Sequence, residues 1–179
     1  LFYGMGKAKL QAELGLNTKD EAEKLFNKYH NRVPFVKDLM NNTSRDASGS
    51  GYITTLLGRK CRFDKWEEAV YNPGVLKIPM SHAEAEKKYG GESIRRAFTY
   101  KALNKLIQGS AADMTKRAML DLYKEGIVPH IQVHDELDIS VESPEQAKKI
   151  IEIMENAVKL KIPNKVDYEE GNNWGEING

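Results

Sequence analysis

His134-Asp135-Glu136 sets two adjacent carboxylates and an imidazole between two short apolar stretches. Neighbouring carboxylates repel, and a hard divalent cation relieves that cost best. Mg²⁺ needs one or two protein carboxylates when phosphates and waters complete its shell. A solvated hairpin tip uses the same residue types, so composition leaves both readings open. Lys101, Asn104, Lys105 and Gln108 form a second set, spaced i, i+3, i+4 and i+7 on one helical face. Amides beside lysines suit a duplex minor groove, where every base pair offers N3 or O2 acceptors, while the lysines meet phosphates. A plain solvated face is the alternative. The run Gly58-Arg59-Lys60-Cys61-Arg62 places three cations within four residues and no acid beside them. It is a phosphate-binding candidate or a solvated turn. Tyr3-Gly4-x-Gly6 could stack on a base or pack a helix end. Asp113 and Arg117, at i and i+4, read as a helix ion pair. His30, His82 and His130 show no partner pattern and read as surface or packing residues.

These groups need elements to hold them. Residues 7–48 read as three helices: Lys7 to Leu14, ended by Gly15; one started by Asn17-Thr18, with acids in its first turn; and one opened by Pro34. Ser48-Gly49-Ser50-Gly51 reads as a flexible turn. Tyr52 to Leu57 and Arg59 to Phe63 read as two strands joined through Gly58. Residues 64–92, with Pro73-Gly74, Pro79 and Gly90-Gly91, read as an irregular excursion. A long helix is expected from Ser93 to about Lys124, with Phe98, Leu103, Ile107 and Met114 opposite the lysine–amide face. Ile131 and Val133, then Leu137, Ile139 and Val141, predict a β-hairpin turning at 134–136, its two strands apolar on one face. Ser143-Pro144 starts another helix. The tail, with Val166, Tyr168 and Trp174, reads as a short strand and a packed end.

The chain has 179 residues, 27 of them Lys or Arg and 26 Asp or Glu, for a net charge of +1. A balanced charge argues against a generally basic coat, so nucleic-acid binding must come from local patches. Hydrophobic residues at 40% support a real core. No apolar run approaches the roughly 20 residues that span a membrane. No secretory leader is visible, the single Cys61 cannot form an internal disulfide, and no Cys/His cluster has zinc spacing. A reducing, cytoplasmic setting is expected. The chain opens on apolar Leu1-Phe2-Tyr3 with no capping residue, as if cut from a longer helix, so a fragment or split protein is expected.

Five segments in order resemble the C-terminal part of a family A DNA polymerase, of the bacterial polymerase I and phage replicase type. Gln132-Val133-His134-Asp135-Glu136-Leu137 is similar to its third palm motif, and Leu106-Ile107-Gln108-Gly109-Ser110-Ala111-Ala112-Asp113 to its I-Q-G-T-A-A-D helix. Phe2-Tyr3-Gly4-Met5-Gly6 resembles the end of the fingers helix, Thr55 to Arg62 the T-x-x-G-R-R-R run, and Gly171-x-Asn173-Trp174 the closing motif. The resemblance implies an α+β fold: partial fingers over about 1–50 and partial palm over about 51–179, with a small antiparallel sheet and a long packed helix. It implies Asp135 as a catalytic, Mg²⁺-binding aspartate, Glu136 as its acidic helper and His134 at the primer terminus. Asn104 and Gln108 would meet the minor groove, Arg59, Lys60, Arg62, Lys101 and Lys105 the DNA backbone, and Tyr3 and Gly4 the templating base. The implied partners are primer–template DNA and deoxynucleoside triphosphates. Tyr100 stands eight residues before Gln108, where many bacterial relatives carry Arg, and Ser110 replaces the usual Thr. The first palm motif and the triphosphate-binding Arg and Lys of the fingers helix are not in this sequence. Two-metal transfer needs both palm motifs, so an upstream portion, in the same chain or a second one, is expected to complete the enzyme. A catalytically silent DNA-binding or scaffold piece is the alternative.

Overall fold

The structure is a computed structural model, and it describes residues 5–70 and 76–177. The chain divides into two compact units, residues 1–109 and 110–179. The division falls inside one long helix, between Gly109 and Ser110.

In the first unit, α1 (Lys7–Glu13) stops before Gly15. α2 (Lys19–Arg32) starts on a capping box: Thr18 Oγ1 accepts from the Glu21 backbone N–H, and the Glu21 carboxylate accepts from the Thr18 N–H. α3 (Pro34–Ser50) has Pro at its first position, where a missing N–H costs nothing. The expected turn at 48–51 is instead helix through Ser50. The Ser48 and Ser50 hydroxyls donate to the carbonyls of Ser44 and Asp46, so the small polar residues bond back into the helix. Gly51 alone breaks it, in the left-handed region at φ 80. A Cβ there would also lie 2.7 Å from Cζ of Arg96, so only glycine fits on both counts.

β1 (Tyr52–Thr54) and β2 (Lys60–Arg62) pair antiparallel, with Tyr52 opposite Arg62, Ile53 opposite Cys61 and Thr54 opposite Lys60. Strand alternation buries Ile53 on one face, in a core with Ala47 of α3, Phe63 and Ala102. The other face carries Tyr52, Thr54, Lys60 and Arg62.

The span 64–92 is more regular than its sequence suggests. β3 (Trp66–Glu68) pairs with β4 (Ile94–Arg96), and Ser81 with Glu84 makes a capping box for α4 (His82–Tyr89). Glu67 meets Arg95 across the ladder at 2.8 Å. The Arg96 guanidinium lies 4.6 Å from the Trp66 ring centroid, and its Nη1 donates to the Phe63 carbonyl at 3.1 Å. β4 also corrects the expected helix start at Ser93. The backbone turns through Phe98, at φ 63, and a 3₁₀ turn (Thr99–Lys101) before α5 (Ala102–Lys124) begins. Residues 94–96 satisfy their backbone on β3, so they are not available to a helix.

In the second unit, Leu122, Ile127 and Ile150 form the core, with Leu137, Ile139, Ile153 and Met154 packed on it. Ile150, Ile153 and Met154 come from α6 (Pro144–Asn156), which starts on Ser143 as expected. Arg117 pairs with Asp121 at 2.7 Å rather than with Asp113, and Lys124 meets the same carboxylate at 2.9 Å. These hydrogen bonds, from Lys124 first and Arg117 second, hold Asp121 below the usual carboxylate range. Asp113 is buried. The tail forms no strand among the described residues. It ends in a short helix, α7 (Trp174–Ile177), whose Trp174 is half exposed.

Candidate nucleic-acid interface and acidic hairpin

Thr55 organises the cationic loop of the first unit. The residue is 4% exposed, its N–H donates to the Arg59 carbonyl at 2.9 Å, and its Oγ1 accepts from the Arg59 N–H at 3.0 Å. The loop is thereby closed on both edges, and Arg59 leaves it in a fixed direction. Arg59 Nη2 donates to the Gly109 carbonyl of α5 at 2.9 Å. A Cβ on residue 109 would lie 3.0 Å from Thr55 Cγ2 and 3.3 Å from Arg59 Nη2, so glycine lets the helix and loop approach this closely. Arg59 therefore ties the loop to α5 one residue beyond Gln108.

The other cations are held by rings. Lys60 Nζ sits 4.4 Å from the Tyr52 ring centroid, and Lys105 Nζ 4.6 Å from that of Phe63. Lys101 Nζ lies 5.0 Å from Phe98 and 5.6 Å from Tyr100. A cation over a π face is attracted by the ring quadrupole, which limits where the long side chain wanders. Arg62 is exposed opposite Tyr52, Gln108 is exposed and Asn104 half-buried. The structure thus brings Arg59 and Lys105 to the contact of the β1–β2 segment with α5, through Gly109 and Phe63, and sets Lys60 and Arg62 on the opposite face of the hairpin. Lys101 precedes α5, in the 3₁₀ turn. Phe98 lies outside the helix and is 38% exposed, which corrects its expected place on the helix's apolar side. The aromatic partners Tyr52 and Phe63 were missed in sequence. Period-2 alternation puts Tyr52 on one face with Lys60 and Arg62 and could have found it. Tyr3 and Gly4 lie outside the described residues.

In the second unit, β5 (Ile131–Val133) pairs with β6 (Glu136–Asp138). The register Val133–Glu136 leaves a two-residue turn, His134-Asp135. His134 takes φ 52, left-handed backbone that costs a non-glycine residue roughly 1–2 kcal/mol. The Gln132 side-chain amide donates to the His134 carbonyl and braces the turn. The same register corrects the expectation of a shared apolar face. Gln132 opposes Leu137, so Leu137 and Ile139 face the core while Ile131 and Val133, 47% and 39% exposed, lie on the other face with Glu136 and Asp138. A two-residue turn offsets the apolar sets of the two strands by one residue. Of the remaining histidines, His130 Nε2 bonds Ser140 Oγ at 3.0 Å, His82 packs edge-on against Trp66, and His30 against Phe26.

The Asp135 and Glu136 carboxylates are exposed, and neither has an ion-pair partner among the described residues. No group of three or more His, Cys, Asp or Glu side chains among those residues could hold a metal. One or two exposed carboxylates fit the share of a Mg²⁺ shell that a protein supplies when phosphates and waters complete it. Among the described residues, no helix is long and apolar enough to cross a membrane.

A two-unit α+β chain, with one antiparallel hairpin carrying cations against a long helix and another presenting carboxylates at its tip, has the fold of a polymerase. It is similar to the Pol domain of Pol1 from M. smegmatis, solved in complex with DNA primer-template and dNTP, at a TM-score of 0.65 and 27% identity over 90% of this chain and 26% of that one. The family model described as DNA polymerase family A matches residues 1–176, and the chain belongs to that family. It is 32% identical to a DNA-directed DNA polymerase of Pseudomonas phage M6, aligned over 100% of this chain and 28% of that protein. It is 35% identical to DNA polymerase I of Caldicellulosiruptor bescii, over 98% of this chain and 19% of the relative. It is also 33% identical to DNA polymerase I of Bacillus caldotenax, over 97% and 18%. The chain spans 18% to 28% of these relatives' length.

Proposed function

We propose that this chain is the C-terminal fingers–palm portion of a template-directed DNA polymerase, with residues 1–50 in the fingers and 51–179 in the palm. One observation carries the reading: the two-residue turn that holds the Asp135 carboxylate exposed and without an ion-pair partner among the described residues. Asp135 would bind Mg²⁺, with Glu136 assisting and His134 meeting the primer end. When bound, Mg²⁺ supplies the positive charge that lowers the primer hydroxyl's pKa and steadies the pyrophosphate leaving group. The chain's own part is to position. The strained backbone at His134 and the Gln132 brace fix the direction of Asp135. Gln108 and Asn104 offer amide donors to the minor groove of the primer–template, and Lys60, Arg62, Lys101 and Lys105 offer charge to its phosphates. Arg59 holds the loop against α5 and adds its charge there.

A second palm carboxylate and the triphosphate-binding cations would come from an upstream portion, in the same polypeptide or a second one, acting in the cytoplasm. Primer extension tests this. The chain supplemented with the upstream polypeptide should extend a primer with deoxynucleoside triphosphates and Mg²⁺, and Asp135→Asn should abolish extension while DNA affinity and far-ultraviolet circular dichroism stay unchanged. Normal turnover by that variant would refute the role of Asp135. DNA binding with no extension under any supplementation would make the chain a silent DNA-binding piece.

A further inference from the structure

α2 repeats the donor pattern found at the start of α5. Lys24-x-x-Asn27-Lys28-x-x-Asn31 stands beside Lys101-x-x-Asn104-Lys105-x-x-Gln108, and Arg32 extends it. Residues at these spacings share one helical face. All five α2 residues are exposed, and they share one open surface of the helix. The ring-bearing residues of the helix are engaged elsewhere: Phe26 packs against His30 at 4.4 Å and Tyr29 at 5.2 Å from it. Two of its three acids are also engaged. Glu21 closes the capping box, Glu23 meets Lys7 at 2.5 Å, and Asp20 stands in the first turn, where the helix dipole favours an acid.

Lys24, Lys28 and Arg32 have no ion-pair partner among the described residues. They follow one another at i, i+4 and i+8, a like-charge row that works against the helix bearing it. Their spacing along the axis, about 6 Å per step, is comparable with that of successive phosphates on a nucleic-acid strand. Asn27 and Asn31 lie between the cations and supply neutral donors for phosphate or sugar oxygens. A row of unpaired cations interleaved with amides on one open helical face is complementary to a polyanion with regularly spaced charges.

We propose that this face of α2 is a second DNA contact, separate from the α5 face, which grips backbone phosphates without regard to sequence. The choice of DNA as the polyanion rests on the polymerase reading above, while the site itself rests on the exposed row of unpaired cations and the amides between them. The test is salt-dependent binding of a fluorescent primer–template hairpin to the 179-residue chain. Lys24→Glu/Lys28→Glu should weaken binding at least tenfold at moderate salt and lower the slope of log affinity against log salt by about two. Lys24→Arg/Lys28→Arg should retain affinity and slope. If the Glu variant loses helix by circular dichroism, Lys24→Gln/Lys28→Gln removes the same two charges and should show the same drop in slope.

Wild-type affinity and slope in the charge-loss variants would overturn the α2 site. In that case, weakened binding by Lys101→Glu/Lys105→Glu would leave the α5 reading standing, whereas no effect there, or no DNA binding by the chain at all, would end both. Displacement of the hairpin by poly-glutamate at equal charge concentration would assign the α2 face to acidic protein segments and overturn its assignment to DNA.

Discussion

Gly109→Ala tests whether the close approach of α5 to the Thr55–Arg59 loop is as tight as the geometry says. The new methyl would lie 3.0 Å from Thr55 Cγ2, 3.3 Å from Arg59 Nη2 and 3.7 Å from Cys61 Sγ. Thr55 cannot yield easily, because it is buried and bonded to Arg59 through both its N–H and its hydroxyl. Overpacking of this kind costs about 1–3 kcal/mol. Replacing a helical glycine with alanine returns about 1 kcal/mol, so the single variant should be between neutral and about 2 kcal/mol less stable. The diagnostic quantity is the coupling with Thr55→Ser. That change deletes the clashing methyl and keeps the hydroxyl, at a cost of about 0.8 kcal/mol for the buried carbon. In the double variant the 3.0 Å clash with Thr55 is gone, the 3.3 Å contact with Arg59 Nη2 is left and the helix gain remains, so the two substitutions should be non-additive by about 1–2 kcal/mol. Denaturant unfolding of the four proteins, followed by Trp66 fluorescence in a Trp174→Phe background, reads the first unit. Additivity within about 0.3–0.5 kcal/mol would refute the packing argument, and with it the claim that glycine is needed for the Arg59 tie.

His134→Gly should be at least as stable as the parent, because removing roughly 1–2 kcal/mol of left-handed strain exceeds the 0.5–1 kcal/mol that glycine's extra freedom costs; a clear loss of thermal stability would contradict the strain at φ 52. Ser81→Ala deletes the α4 cap and should cost about 1 kcal/mol, seen as a lower unfolding midpoint for the first unit. Leu122 is fully buried in the second core, so Leu122→Ala should cost about 2–5 kcal/mol, and a change below 1 kcal/mol would place it outside a tight core. Asp121 has a folded-state pKa below its unfolded one, so its contribution is complete above the ordinary carboxylate range and is lost as pH falls through the lower folded value. Asp121→Asn should therefore flatten the acid side of the stability–pH curve and leave the shape above pH 6 unchanged, as measured by thermal unfolding across the range.

Much of the local structure was legible because single residues punctuate it. Thr18 with Glu21 and Ser143 mark helix starts because their side chains satisfy free backbone N–H groups, and Pro34 and Pro144 do so because a first-turn residue has no N–H partner to lose. Asp135 was legible as a turn carboxylate because apolar residues flank it on both sides. Where reading failed, the deciding partner lay far along the chain. Residues 94–96 are helix-compatible in type, yet they pair with 66–68, an ion pair and a ring–guanidinium contact closing a separation of about thirty residues. Ser81 with Glu84 was a readable cap that the surrounding prolines and glycines obscured.

Five short motifs in register point to the family, and the chemistry of each candidate group is readable along the chain, because residue type and spacing are local properties. Tertiary structure decided which groups act together. It turned Arg59 toward Gly109, set Lys60 and Lys105 over aromatic rings, and placed Ile131 and Val133 on the opposite face from Leu137. Strand register and helix–loop approach are properties of pairs of distant segments, and no local pattern encodes which segment will be the partner.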